Sequence, residues 1–309
     1  MTLRRDSGLF TSFGYFDTTK TVIVHRERRE IVMSVKPIPI DRGGNPISDF
    51  VIPQDWKHYT ERDHETWRTL FERQSSVVQG RACKEYLDGL EELDVAARGI
   101  PDFEILNKKL WEKTKWRIVA VPGLVPDDVF FKHLSERRFP VTRWIRGQYQ
   151  MDYLQEPDIF HDLFGHVPLL INPVFANYLE AYGKGGIKAH RLNALQFLAR
   201  LYWYTVEFGL IQTPDGLRIY GSGIVSSRKE TVACLEDPSP QRVVFDLKRI
   251  MRTKYEIDKL QLIYFVIPSF EALFEATYPD FTPIYTELER RPEIASGVLV
   301  SGDTLIIPL

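Results

Sequence analysis

The sequence EPDIFHDLFGHVP, residues 156 to 168, places His161 and His166 five residues apart in a largely apolar stretch. On a regular α-helix, residues five apart are rotated by about 140° from each other, so these two imidazoles could not meet at one metal ion. Gly165 can close a helix in the left-handed conformation, and Pro168 disfavours helical geometry in the residue before it. We therefore predict a helix that runs from Pro157 toward Gly165 and ends there, so that the two histidines converge.

A third candidate ligand lies in the sequence LARLYWYTVEFGLI, residues 198 to 211, where Glu207 is the only acidic residue. The aromatic-rich segment 194–211 is predicted to be a helix, and a carboxylate buried in such a helix is costly unless it is paired or bound to a metal. Either an arginine from elsewhere or a metal would serve. Taken together with the two histidines, Glu207 favours a metal.

Two histidines and one carboxylate occur both in zinc hydrolases and in the facial triad of non-heme iron(II) oxygenases. The H-E-x-x-H pattern of zinc peptidases is absent here, and the many aromatic residues nearby suit a flat, apolar substrate. Iron is therefore favoured over zinc. A helical binding protein in which the three residues are only structural is the non-enzymatic alternative.

Composition excludes several classes of partner. The 309 residues carry a formal net charge of -2 with the two signs interspersed, so we expect neither a nucleic-acid partner nor an anionic membrane. An apolar run of the ~18 residues that span a bilayer is missing from the sequence, and there is no secretory signal. Only two cysteines occur, Cys83 and Cys234, and they are far apart. A reducing, cytoplasmic location is therefore expected.

The hydrophobic pattern predicts an α+β fold that is predominantly helical, with a small β-sheet, in a single catalytic domain over residues 51–287. A poorly ordered arm is expected over residues 1–50 and a tail over residues 288–309. The main predicted elements outside the two ligand segments are a helix from Thr60, helices over 126–138 and 242–251, and strands over 117–121 and 217–220.

Three blocks of sequence resemble the signature segments of the pterin-dependent aromatic amino acid hydroxylases. They are EPDIFHDLFGHVP at 156–168, YWYTVEFG at 202–209 and YGSGIVSS at 220–227. The resemblance extends over about residues 56 to 285 and is closest to the single-domain bacterial phenylalanine hydroxylases. It implies a monomeric enzyme that needs iron(II) and tetrahydrobiopterin or a related tetrahydropterin.

The resemblance also implies a role for individual residues. The iron ligands would be His161, His166 and Glu207, with Tyr202 beside them as a further catalytic residue. The substrate would be bound by Arg146, whose fork suits a carboxylate, and by Trp203, Gly223 and Ser226. The pterin would be bound by Gly123, Val125, Phe130 and Asp162. Animal members have glutamate where this chain has Asp162, so the shorter side chain puts a direct contact with pterin in question.

The implied reaction is the 4-monooxygenation of L-phenylalanine to L-tyrosine with O2 and tetrahydropterin as the other small-molecule substrates. The aliphatic Ile257 matches a position that is aliphatic in the phenylalanine branch and acidic in the tyrosine branch. Hydroxylation of tyrosine or tryptophan is the first alternative. A zinc hydrolase with the same three ligands is the second.

Overall fold

The structure is a computed structural model that describes residues 22–26, 29–33, 35–41, 43–152, 154 and 156–307. Among these residues are eleven α-helices, which we number in chain order. They are α1 Glu61–Val78, α2 Lys84–Leu93, α3 Phe103–Thr114, α4 Asp127–Ser135, α5 Pro173–Arg191, α6 Leu195–Tyr202, α7 Ser222–Val225, α8 Arg228–Glu236, α9 Leu247–Arg252, α10 Phe270–Thr277 and α11 Thr282–Leu288.

Two segments of the described residues are π-helical. The first π turn spans His161–His166 and the second spans Trp203–Glu207. The first runs directly into the 3-10 helix Val167–Ile171, and the second follows directly on α6. Shorter 3-10 helices lie at Trp56–His58 and Gln148–Gln150.

The strands of the described residues form three small sheets. The strands are β1 Val22–Arg26, β2 Arg29–Met33, β3 Arg117–Val121, β4 Arg138–Thr142, β5 Leu210–Thr213, β6 Gly216–Ile219, β7 Gln241–Val244 and β8 Ile263–Ile267. Strands β1 and β2 pair antiparallel, β3 and β4 pair parallel, and the third sheet has the order β6-β5-β8-β7. All five residues of β8 are buried, as expected for the central strand of a covered sheet.

One apolar core joins the helices to the two sheets of the domain. It is rich in aromatic residues, and α4 packs on α5 through Phe131 and Tyr182, whose ring centroids are 5.7 Å apart. Helix α1 begins at a capping box, in which Thr60 and Asp63 each accept the other's backbone N–H. The predominantly helical α+β fold with small sheets is confirmed, as are the predicted helix after Thr60, the helix within 126–138 and both strands.

Two predicted helices are wrong in part. The helix expected over 194–211 ends earlier, because Leu210–Thr213 forms a strand between β6 and β8. The helix expected over 242–251 begins only at Leu247, because the residues before it are paired with β8 as β7. In both places, β-branched and aliphatic residues that would fit one face of a helix lie in a strand instead. Pairing with β8 therefore overrides the helical pattern of the local sequence.

The predicted arm lies partly outside the described residues, because residues 1–21 are among those that the structure does not describe. The strands Val22–Arg26 and Arg29–Met33 pair with each other, and Phe50 is buried in the core. The division into arm, catalytic domain and tail stays a prediction. In the part of the chain that the structure describes, no helix combines the length and apolar character needed to cross a membrane.

Candidate active site

The first π turn brings the two histidines together. It closes where the N–H of Val167 donates to the carbonyl of Asp162, five residues earlier. Residues five apart therefore lie one above the other, as residues four apart do on an α-helix. The Nε2 atoms of His161 and His166 are 3.2 Å apart.

The convergence of the histidines is thus observed, but the predicted cause of it is wrong. Gly165 has no positive φ and does not end the helix. Val167, before the proline, has helical angles of φ -64° and ψ -34°, and the chain continues as a 3-10 helix. The wider π turn, rather than an interrupted helix, brings the two imidazoles together.

The second π turn positions the carboxylate of Glu207. Its closing bond runs from the N–H of Phe208 to the carbonyl of Trp203, at 2.8 Å. Glu207, at the end of the turn, places Oε1 3.1 Å from Nε2 of His166 and Oε2 3.7 Å from Nε2 of His161. The three residues predicted as ligands therefore form one triangle of donor atoms.

The donor set fits a metal ion. Two ligands at about 2.1 Å from one ion and at right angles are about 3 Å apart, which is close to the shorter edges of the triangle. A second carboxylate, Asp162, has an oxygen within 4.8 Å of both histidine donor atoms. Its Oδ2, however, accepts the backbone N–H of Thr142 at 2.7 Å. Glu207, nearer to both rings, is the better third ligand.

The protonation states also suit metal binding, which requires neutral imidazoles and an ionised carboxylate. Burial lowers the pKa of His161 to about 4. Burial opposes ionisation of Glu207, but the neighbouring His166 and hydrogen bonds from His166 and Ser222 lower its pKa to about 2. Near pH 7, a neutral ring of His161 faces a negative carboxylate.

Two serines of the 220–227 block orient these ligands. The hydroxyl of Ser226 donates to the carbonyl of Ser222 at 2.7 Å, so its oxygen accepts Nδ1–H of His161 at 2.9 Å. That bond leaves the lone pair of Nε2 directed at the other ligands. The hydroxyl of Ser222 lies 2.8 Å from Oε2 of Glu207. A Cβ on Gly165 would stand 3.0 Å from the carbonyl of Ser222, so glycine permits this close approach.

A buried ion pair lies behind the first π turn. Arg146 donates through Nε and Nη2 to the two oxygens of Asp158, each at 2.8 Å, and also through its backbone N–H at 3.0 Å. Oδ1 of Asp158 in addition accepts the backbone N–H of His161 at 3.0 Å. The predicted substrate-binding arginine is therefore fixed to the segment that carries a ligand.

A cleft opens on the donor triangle, and all four predicted pterin residues line it. Its wall is formed by Val121, Gly123, Leu124, Val125, Phe130, Phe139, Pro140, Thr142, Pro157, His161, Asp162, His166, Tyr202 and Glu207. Phe130 packs edge-on against Tyr202, with ring centroids 5.9 Å apart. Gly123 has a φ of +154°, and Lys36 occupies the space that a Cβ there would need.

Asp162 lies in this cleft with a raised pKa. Burial raises the pKa of its carboxyl to about 7, against the opposing effects of His166 and of the Thr142 N–H. Asp162 belongs to the first π turn, and its side chain joins that turn to β4 by accepting the N–H of Thr142. Its assignment to pterin binding stays a prediction.

The remaining predicted substrate residues lie at the edge of the same region. Gly223 approaches Glu207 so closely that a Cβ would be 3.1 Å from Oε2. Trp203 is buried, and its ring stacks on Tyr255 at 4.4 Å and packs against Phe208 at 4.6 Å. The structure thus brings all twelve predicted site residues into one region.

Three residues that hold other site residues in place were not predicted from the sequence. Asp158 and Ser222 stand inside the quoted blocks, and the fact that each lies in a run otherwise rich in apolar and small residues was a usable signal. Thr142 contributes only its backbone N–H, and any residue but proline could do so. No sequence signal could have identified it.

The chain is similar to known proteins over most of its length. Residues 26–283 match the family model for biopterin-dependent aromatic amino acid hydroxylases. The phenylalanine-4-hydroxylase of Chromobacterium violaceum is 60% identical over 259 residues, covering 84% of this chain and 87% of that protein. That of Ralstonia nicotianae is 60% identical and covers 84% and 82%. The crystal structure of the Chromobacterium violaceum enzyme bound to cobalt has a TM-score of 0.83 and covers 84% of this chain and 94% of that one.

Proposed function

The chain belongs to the biopterin-dependent aromatic amino acid hydroxylases, and on that premise we propose that it is a phenylalanine 4-monooxygenase. It converts L-phenylalanine to L-tyrosine with O2 and a tetrahydropterin. The observation that carries the proposal is the convergence of two imidazoles and one carboxylate on the floor of a cleft with aromatic walls. Relatives of 60% identity that are named for this reaction support the choice of substrate.

We assign the metal as iron(II), held by His161, His166 and Glu207. Bound together with the tetrahydropterin, iron supplies the activation of dioxygen that the reaction needs. The chain would hold the ion through these three side chains at the floor of the cleft. The bond from His161 to Ser226 selects the tautomer whose Nε2 can bind the metal.

The pterin is assigned to the cleft walls that include Gly123, Val125 and Phe130. A flat heteroaromatic ring gains from contact with Phe130, and Gly123 and Val125 line the same cleft. Asp162 is assigned to the same site because its buried carboxyl group lines the cleft beside the proposed metal ligands. Tyr202, which contacts both Phe130 and His166, separates the pterin from the inner aromatic core.

The amino acid substrate is assigned to the side of the site that carries Arg146 and Trp203. Asp158 fixes the guanidinium through Nε and Nη2, and we assign Nη1 to the carboxylate of phenylalanine. Gly223 and Ser226 are assigned to the same side because both border the proposed metal ligands. Burial of Arg146 and Trp203 keeps bulk water away from this side of the site.

We also propose that the enzyme acts as a monomer in the cytoplasm. Both cysteines are free and buried, and free cysteines are the usual state in a reducing compartment such as the cytoplasm. Sedimentation of the purified enzyme tests the oligomeric state.

The decisive experiment is anaerobic reconstitution with iron(II), followed by O2, tetrahydropterin and phenylalanine, with product analysis for para-tyrosine. We expect tyrosine from the wild type and none from His161→Ala. Tyrosine formed equally by both would refute the ligand assignment. An enzyme that retained zinc and hydrolysed a substrate without O2 would refute the proposed function.

A further inference from the structure

A buried glutamine connects the candidate substrate wall to a loop that lies outside the metal site. Gln261 is only 3% exposed and stands between the loop 254–260 and strand β8. Its Oε1 accepts the indole N–H of Trp203 at 2.8 Å. Its Nε2 donates to the carbonyls of Glu256 at 3.0 Å and Lys259 at 3.1 Å. One amide therefore bonds the indole and both arms of the loop.

The backbone of Gln261 is fixed as well. Its N–H donates at 3.0 Å to Oε1 of Glu230, a carboxyl that is 4% exposed. The hydroxyl of Tyr264, on β8, donates to the same oxygen at 2.5 Å. The glutamine is thus held from behind by α8 and β8, and its amide points from there to the loop and the indole.

The loop that Gln261 stabilises also contacts the indole directly. It carries Tyr255, whose ring stacks on Trp203 with an interplanar angle of 13°. It also carries Ile257, which is half-buried against the core. The indole is therefore located by a ring on one side and by an amide at its edge. The same tryptophan provides the carbonyl that closes the second π turn, next to Glu207.

We infer that Gln261 is a positioning residue for the amino acid substrate. By bonding Trp203 and the loop 254–260 at once, it sets the width of the pocket in which the aromatic side chain would lie. The inference rests on the proposed function, because that function makes Trp203 part of the substrate wall. Losing the amide would leave an indole N–H and two carbonyls without this partner, and the loop would shift to satisfy them.

The test compares two variants at this position with one elsewhere. Gln261→Leu removes the whole amide, whereas Gln261→Glu keeps an acceptor for the indole but replaces the donors to the loop with an acceptor. The matched control is Gln74→Leu, since Gln74 is also 3% exposed and donates to Thr231, across the contact between α1 and α8. All three variants lose a buried glutamine hydrogen bond, so their thermal midpoints calibrate the purely structural effect.

Two quantities are measured: the KM values for phenylalanine and for tetrahydropterin, and the Kd of phenylalanine by calorimetry with the iron-loaded enzyme in the absence of O2. We expect both Gln261 variants to raise the KM and Kd for phenylalanine on the order of tenfold, which is the size expected from losing one to two buried hydrogen bonds. The KM for the pterin should stay within about twofold of the wild type, as a shift confined to one wall implies. Gln74→Leu should change neither.

Three results would overturn the inference. The first is a wild-type KM and Kd for phenylalanine in both Gln261 variants. The second is an equal rise in the KM for both substrates, and the third is the same rise in Gln74→Leu. Failure of the proposed function is distinguishable: a wild type that made no tyrosine but bound phenylalanine more tightly than Gln261→Leu would refute the reaction and support the positioning role.

Discussion

The two sides of the candidate site are stabilised in different ways. On the metal side, the ligands sit on helical turns, and His161 and Glu207 each have a serine hydroxyl within hydrogen-bonding distance. On the loop side, residues 254–260 have no regular structure, and the side-chain amide of Gln261 bonds the carbonyls of Glu256 and Lys259. The difference indicates that the proposed ligands are positioned by closed helical turns, whereas the proposed substrate wall is joined to an irregular loop by one side-chain amide.

The sharpest test of the metal side is Glu207→Gln. The amide keeps the size of the side chain and a contact for Ser222, but it lacks the negative charge that faces two imidazoles. We expect iron content to fall from about one ion per chain to the limit of detection and tyrosine formation to be lost with it. Metal analysis after dialysis measures this.

The control for Glu207→Gln is Glu230→Gln, which changes a carboxyl that is similarly buried but lies on the loop side. It should retain iron at the wild-type level. Equal iron loss in both variants would mean that the two sides are not separable, and the comparison would fail.

The second prediction concerns the ion pair beneath the first π turn. Asp158→Asn removes the charge that Arg146 needs and weakens the bond to the N–H of His161. Breaking a fully buried pair of this kind lowers the free energy of unfolding by about 3–5 kcal/mol. Urea unfolding of the metal-free protein measures it. Asp152→Asn, which alters a largely exposed pair with Arg73, should leave the transition unchanged.

A smaller effect is expected from the serine that orients His161. Ser226→Ala removes the acceptor for Nδ1–H and leaves the ring free to turn, which should weaken iron(II) binding by roughly 10- to 100-fold. Competition with a chelator measures the affinity. The neighbouring Ser227 caps α8, so Ser227→Ala should lower stability without changing iron affinity. Loss of affinity in Ser227→Ala alone would contradict the assignment.

The smallest effect concerns pH on the loop side. Burial holds the pKa of Glu230 above its ordinary value, against the bonds from Tyr264 and Gln261. The folded state therefore binds the proton more tightly than the unfolded chain, so the favourable contribution of this group is lost as pH rises from the ordinary value toward the raised one. Glu230→Gln should lack that decline. The test is to measure the thermal midpoints of the wild type and of Glu230→Gln at several pH values, starting near pH 4. Parallel curves for the two proteins would contradict the prediction.

The sequence was sufficient to predict that His161, His166 and Glu207 converge, but not the turns that carry them. His161, His166 and Glu207 stand out because polar, metal-binding side chains in apolar segments need a reason to be there. A π turn, in contrast, has the same residues as an α-helical turn and differs only in how its hydrogen bonds close. We therefore interpreted Gly165 as the end of a helix, although its role is to leave space for Ser222.

The spacing argument against a zinc peptidase was also weaker than the sequence suggested. Two histidines four apart on an α-helix and two histidines five apart on a π turn share one face in the same way. The composition of the cleft and the family blocks, not the spacing alone, separate the two classes.

The strand errors have a different origin. Residues 210–213 and 241–244 carry β-branched or aliphatic side chains that fit a helical face as well as a buried strand. Whether a helix or a strand forms is decided by pairing with β8, whose partner residues are at least 22 positions away along the chain, as the Val244–Val266 and Gln241–Ile263 pairs show. Local pattern contains no information on such a partner.

The first π turn contains one more residue than an α-helical turn, and the extra residue can make contacts of its own. An α-helical turn that presented the same two ligands would hold three residues between them, whereas this turn holds four. Within those four, Asp162 reaches the backbone of β4, and Gly165 gives α7 room to approach. Shortening the turn by one residue would leave both histidines on one face, and would delete or displace one of those two contacts. Insertions and deletions are therefore a more severe change here than most substitutions.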